Sequence, residues 1–365
     1  KSFGSSSCTR QNRNPAKMNS RLPVYTITLS LQMTVEAVLW GRNIPATEAS
    51  QHGEGSIGRW CLERTPWHRT LLLSLVPAYH GSTALESVFM SSSNLATLCT
   101  ADMWQCEGNK ILAAEVGFSN NMSTWNFSTM LDVYSKYWDL DRPVLLEKSP
   151  NQLLHVKAMR EGLLRVQMPL RMQHHGVRAL TLKYVMMWRP LCLWTLSTKS
   201  IASLTKTPRA WILRELELYE TMVEAHRYLS SVGQEPLVIN FADLLWNPRA
   251  TKARIESFVP CLGDLDFEKE IELGKTVFLG NHWKLSGAVH SFAREHDPKS
   301  CCGYLMNPNG TGGACSGASV MEFQTERDGI FRGNVLAFLH QDEKERIGKA
   351  LNFLQVQSDS VVASG

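Results

Sequence analysis

Pro77-Ala78-Tyr79-His80-Gly81-Ser82-Thr83-Ala84-Leu85 has the residue types and order of an anion cradle. A glycine lets backbone approach a ligand closely, and two hydroxyl residues behind it can cap a helix and donate to phosphate oxygens. Backbone N–H groups at such a turn, with a helix dipole behind them, favour negative charge. A nucleoside-triphosphate loop would read GxxxxGK[ST]. This segment has no Lys and only one Gly, which speaks against kinase or GTPase chemistry. The same residues also suit a plain Ser/Thr-capped helix after a buried strand.

A second anion element follows the apolar run 182–188, which ends in Arg189-Pro190, with Ser197 eight residues after Arg189. An Arg at the carboxyl end of a parallel strand points into the crevice where such sheets bind ligands. Arg supplies a permanent forked donor and Ser a neutral one. Three candidates could move protons or offset charge. Lys148 sits in Glu147-Lys148-Ser149-Pro150, Glu107 in Trp104-Gln105-Cys106-Glu107-Gly108, and His80 precedes the loop glycine. A His needs little tuning to act near neutrality, and Glu147 is a further rival base.

Other reactive residues read as structural. His174-His175 and Cys301-Cys302 are adjacent pairs, and no CxxC occurs, so no metal site is expected. Cys99 and Cys106 could pair in an oxidising compartment. His226 continues the apolar stripe Ile212, Leu216, Tyr219 and Val223, which predicts a buried, hydrogen-bonded imidazole.

These residues need a scaffold. Residues 71–76 form a short apolar run, the pattern of a strand buried on both faces. After Gly81, Ala84, Leu85, Val88 and Phe89 share one helical face. Apolar runs recur at 144–146, 182–188 and 237–241. Helices are expected over about 248–259 and about 342–354. Strand–helix alternation predicts a three-layer α/β/α fold with a mainly parallel central sheet. Residues 1–68 are expected to be a poorly structured leader, with one strand at 25–36 from period-2 alternation. Residues 69–300 would form the nucleotide-binding domain, and 301–365 a Gly-rich loop and C-terminal helix.

Composition narrows the partners. The 365 residues carry 38 basic and 34 acidic side chains, a formal charge of +4, too balanced for a general nucleic-acid or membrane-surface binder. Apolar residues make up 44%, enough for a large core, and nine cysteines in this length are not a disulfide scaffold. No apolar stretch approaches the ~18–20 residues of a membrane span. The sequence starts at Lys1 without a visible signal peptide, so a start further upstream is expected. Sequons at Asn121, Asn126 and Asn309 leave both cytoplasm and secretory lumen open.

In order and spacing, these elements resemble the sulfotransferases that use 3′-phosphoadenosine 5′-phosphosulfate (PAPS). His80-Gly81-Ser82-Thr83-Ala84-Leu85 is similar to that family's 5′-phosphosulfate loop, and Arg189 with Ser197 to its 3′-phosphate signature. Glu147-Lys148-Ser149-Pro150 resembles its E-K-[ST]-P element. The stretch from Ile239 to Pro248 looks like its Y-E-D-L-x-x-x-P segment, and Gly280-Asn281-His282-Trp283-Lys284 like its late nucleotide-closing loop. The likeness covers about residues 69–293. It implies a P-loop NTPase-like sheet, PAPS as co-substrate and no metal. The acceptor would be a small molecule, carbohydrate or protein bearing a hydroxyl or amine. It also implies nucleotide contacts from His80, Gly81, Ser82, Thr83, Ala84, Arg189, Ser197, Asn281 and Lys284, with Lys148, Glu107 and His80 as catalytic candidates. Two features depart from the family. Tyr79 stands where many members carry Lys or Arg, and the Asn or Asp usual between Arg and Pro is missing. A non-catalytic nucleotide-binding relative is therefore the alternative, with a P-loop kinase behind it.

Overall fold

The structure is a computed structural model. It describes residues 61, 66–78, 80–99, 106–117, 125–190, 208–267, 321–325, 329–333 and 339–360. All of them belong to the unit Pro45–Gly365. The expected strand at 25–36, the Gly-rich segment 301–320, and Tyr79, Ser197, Asn281 and Lys284 lie outside the described residues.

The central sheet is parallel throughout, with five strands in the order β2-β3-β1-β4-β5. These are β1 (His68–Ser74), β2 (Leu95–Ala96), β3 (Val144–Lys148), β4 (Ala179–Trp188) and β5 (Leu237–Asn240). Helix α1 (Ser82–Met90) follows β1. Helices α2 (Gly108–Val116) and α3 (Phe127–Ser135) lead to β3. A 3-10 turn (Pro150–His155), α4 (Val156–Arg165) and α5 (Leu170–His174) lead to β4. The long α6 (Pro208–Ser231) precedes β5, and α7 (Phe241–Trp246) and α8 (Pro248–Phe258) follow it. The Asn126 side chain caps α3, accepting from the N–H groups of Ser128 at 3.0 Å and Thr129 at 3.2 Å.

Strand alternation sorts the core into two layers. Leu71, Leu73, Leu145, Tyr184 and Met186 face the apolar stripes of α2, α3, α4 and α6. Leu72, Leu146, Val185, Met187 and Ile239 face α1, Phe241 of α7 and Ile255 of α8. Successive side chains on a strand point to opposite faces, so a run such as Leu71-Leu72-Leu73 serves both layers at once. This is the expected three-layer α/β/α arrangement.

Three features extend the sequence reading. The last helix, α9 (Gln341–Ser360), runs six residues past the expected end and packs Ile347, Ala350, Leu351 and Leu354 into the first layer. Trp188 Nε1 donates to Ser358 Oγ at 2.9 Å, so α9 buttresses the end of β4. Strands β6 (Met321–Thr325) and β7 (Gly329–Gly333) pair antiparallel in a separate two-stranded sheet, an element the alternation of strands and helices did not predict. His174, of the adjacent pair His174-His175, ends the short α5.

The chain leaves β1 toward β3 on one side and later crosses to β4 on the other. Open parallel sheets bind ligands at the carboxyl ends of the strands where the direction of chain progress reverses. Gly81 and Arg189 lie at that point.

Candidate functional site

Gly81 turns β1 into α1 with φ +95°. A Cβ there would lie 2.5 Å from the Phe241 ring and 3.1 Å from Met187. Both the left-handed backbone and the close approach therefore require glycine. No side chain caps α1. Ser82 is buried and Thr83 half-buried at its first turn. The N-terminal N–H groups and the helix dipole make this end electropositive.

Arg189 directly follows β4 and is 1% exposed. Its guanidinium lies over the Phe241 ring, 4.4 Å from the centroid. Phe241 thus touches both the glycine turn and the arginine and fixes their separation. His80 makes the other link. Its Nδ1 accepts the Arg189 N–H at 3.0 Å, and its Nε2 bonds a Glu215 carboxylate oxygen. Since Nδ1 accepts, Nε2 carries the proton and donates it to Glu215. The Tyr219 hydroxyl donates to the Arg189 carbonyl at 2.5 Å. His80 is completely buried with both ring nitrogens engaged. Through Nδ1 the ring holds the Arg189 backbone in place.

Lys148 ends β3, the neighbour of β1 on the other side, and its register partner is Ser74. Its ammonium donates to Glu86 of α1 at 3.0 Å and lies 4.0 Å from Glu107 Oε1. Lys148 and Glu86 are both almost wholly buried, while Glu107 is slightly exposed. Burial pushes the Glu86 carboxyl up to about 7. The Lys148 charge opposes that rise, and Glu107 adds to it. Glu107 stands just before α2 and also pairs with Lys110 at 3.2 Å. Cys106, before it, has φ 49° and is disulfide-bonded to Cys99. That bridge ties the entry of α2 to the end of β2 and brings Glu107 up to Lys148. Oxygen of Glu86 and the sulfurs of Cys99 and Cys106 lie within 4.8 Å of one another, but the disulfide removes both thiolates as metal ligands.

Beside Lys148, Glu147 is buried on the opposite face of β3. Its Oε1 accepts from Ser149 Oγ at 2.7 Å and from Tyr134 Oη at 3.4 Å. Its Oε2 has no hydrogen-bond partner, and the Gln152 amide lies nearby without hydrogen-bond geometry. Burial pushes this carboxyl up to about 7, against the pull of the Ser149, Gln152 and Tyr134 polar groups. Ser149 Oγ also accepts the Asn109 N–H at 2.9 Å, linking β3 to α2.

Of the expected site residues, the structure brings Gly81, Ser82, Thr83, Ala84, His80 and Arg189 to the crevice between β1 and β4. It gathers Lys148 and Glu107 into a second group on β3. Ser197, Asn281 and Lys284 lie outside the described residues. Sequence reasoning missed Glu86 and Glu215. Each is a charged residue inside an apolar helical stripe: Glu86 beside Leu85 and Phe89, Glu215 between Ile212 and Tyr219. That placement was the available signal, because a charge inside such a stripe requires a buried partner. His226 is buried as expected, bonded to Ser230 Oγ at 3.2 Å and 3.0 Å from Glu235. No family model matches the chain, and neither a curated protein nor a solved structure matches it.

Proposed function

We propose that this chain transfers a sulfuryl group from PAPS to a hydroxyl or amine acceptor. One observation carries the reading. The carboxyl ends of three adjacent strands, β3, β1 and β4, line up Lys148, the Gly81 turn and Arg189 along one sheet edge. That spread suits a compact ligand with two phosphate groups better than a single anion.

In this reading the N–H groups at the start of α1 hold the 5′-phosphosulfate, with the Ser82 and Thr83 hydroxyls. Arg189 holds the 3′-phosphate. The acceptor oxygen attacks sulfur as the bond from sulfur to the bridging phosphate oxygen breaks. The acceptor proton passes to Glu107, and the bisphosphate nucleotide leaves with the bridging electron pair. Positioning and fixed charge would supply most of the acceleration, as in phosphoryl transfer. Lys148 faces the departing oxygen. Glu86 titrates near 7, so its protonated form leaves the Lys148 charge available to that oxygen.

A second reading rests on Tyr79, which is uncharged at neutral pH where many such enzymes place a cation. Together with the two carboxylates around Lys148, it favours a nucleotide-binding protein without turnover. Two measurements separate the readings. The bisphosphate nucleotide should raise the melting temperature where ATP and NAD do not. Arg189→Ala should weaken that binding by at least ~10-fold through loss of a charge-assisted phosphate contact. Unchanged affinity in the mutant removes both readings. Binding without transfer of radiolabelled sulfate to a mixed acceptor panel leaves the second.

A further inference from the structure

Asn126-Phe127-Ser128 is an acceptor triplet for N-linked glycosylation that lies within the described residues, whereas Asn121 and Asn309 fall outside them. Asn126 and Ser128 are exposed, and Phe127 between them is half-buried. The Phe127 ring packs on the first core layer, so close to α4 that a Cβ on Gly162 would lie 2.2 Å from it. Successive residues of a helix lie about 100° apart, so an inward Phe127 leaves its neighbours on either side at the surface. Asn126 also caps α3, its Oδ1 accepting from the N–H groups of Ser128 at 3.0 Å and Thr129 at 3.2 Å. A glycan attaches to the amide nitrogen, Nδ2, and leaves Oδ1 a carbonyl acceptor. The folded chain can therefore carry the glycan and keep the cap.

The cysteines point to the compartment. All four among the described residues are disulfide-bonded, Cys61 to Cys261 and Cys99 to Cys106. The first pair is joined across 200 residues of chain, with Cys61 buried. Disulfides form and persist in oxidising compartments and are rare where the thiol pool is reduced. The lumen of the endoplasmic reticulum is such a compartment, and it is where N-linked glycans are attached. We propose that Asn126 carries an N-linked glycan, attached in that lumen. Asn126 Nδ2 bonds to the anomeric carbon of a lipid-pyrophosphate-linked oligosaccharide and gives up one proton to a base of the transferring enzyme. The bond from that carbon to the phosphate oxygen breaks, and the lipid pyrophosphate leaves with the electron pair. Ser128 supplies the hydroxyl that the triplet requires at its third position. None of this depends on the sulfuryl-transfer reading.

Two samples test it: the protein purified from its own cells, and the full chain expressed behind a cleavable signal peptide in cultured eukaryotic cells. Peptide-N-glycosidase in heavy-oxygen water releases each glycan and leaves an isotopically marked aspartate in place of the occupied asparagine. Tandem mass spectrometry then reads position 126 apart from 121 and 309. Both samples should carry the mark at 126, and non-reducing peptide maps should show Cys61 joined to Cys261. Ser128→Ala keeps the backbone N–H that the cap uses, and Asn126→Asp keeps the oxygen that accepts it. Each variant should abolish the mark at 126 and leave the melting temperature of the deglycosylated chain unchanged. If the signal-bearing chain is retained in the cell, the same peptides are read from the retained fraction. An unmarked position 126 in either sample overturns the proposal, at the site for the signal-bearing chain and at the compartment for the native one. Much higher secretion of Asn126→Asp than of wild type would also overturn it, because the folded surface would then reject the glycan.

Discussion

Two residues carry the sharpest consequences. At Gly81 the positive φ and the Phe241 ring act independently. Gly81→Ala should cost about 1–3 kcal/mol from overpacking and backbone strain together, read from urea unfolding. Adding Phe241→Leu should recover only the overpacking part. An unchanged midpoint in the single mutant would contradict the turn geometry. Glu147 makes a pH prediction. Its folded carboxyl sits at about 7, above the ordinary 4.5, because it is buried. The folded chain therefore keeps a proton that the unfolded chain loses. Its contribution is fully present below about pH 4.5 and is lost as pH rises through about 7. The loss is on the order of 3 kcal/mol. Glu86 shifts in the same direction, while burial lowers the His226 pKa and works in the opposite sense. The difference between wild type and Glu147→Gln isolates the one group. Wild type should lose stability relative to the variant across that window in urea unfolding at a series of pH values. A constant difference would mean that Glu147 is ionised when folded.

At the scale of elements, the site depends on contacts between helices and strand ends. Helix α6 reaches the crevice through Glu215 and Tyr219, one bonded to His80 and the other to the Arg189 carbonyl. Glu215→Ala leaves a buried His80 N–H without its acceptor. It should cost about 1–3 kcal/mol in unfolding experiments and weaken nucleotide binding by loosening Arg189. Lost stability with full nucleotide affinity would show that α6 supports the fold but not the arginine. The apolar stripe of α6 was legible in Ile212, Leu216, Tyr219 and Val223, because helical periodicity survives translation into sequence. The partner of Glu215 was not, since a residue 135 positions away in the chain supplies it. Strand β2 was missed because a two-residue strand is too short to display a period.

For the whole molecule, Cys61 and Cys261 are disulfide-bonded across a sequence separation of 200 residues. Such a bond removes much freedom from the unfolded chain. Cys61→Ser should therefore lower unfolding stability by about 2–5 kcal/mol under non-reducing conditions. A reductant should then cost the variant much less than it costs wild type, with Cys99–Cys106 accounting for what remains. An identical loss in both chains would deny the bond a role in stability. The sequence by itself determined the layered fold, since buried parallel strands and amphipathic helices write their burial into local apolar patterns. It also located the glycine turn, Arg189 and Lys148, because each sits at a recognisable strand end. Only the tertiary structure decided what those residues do to one another. It engaged both nitrogens of His80, set Glu86 and Glu107 around Lys148, and bonded Cys61 to Cys261. Each of these is a contact between groups remote in the chain, which local apolar patterns do not record.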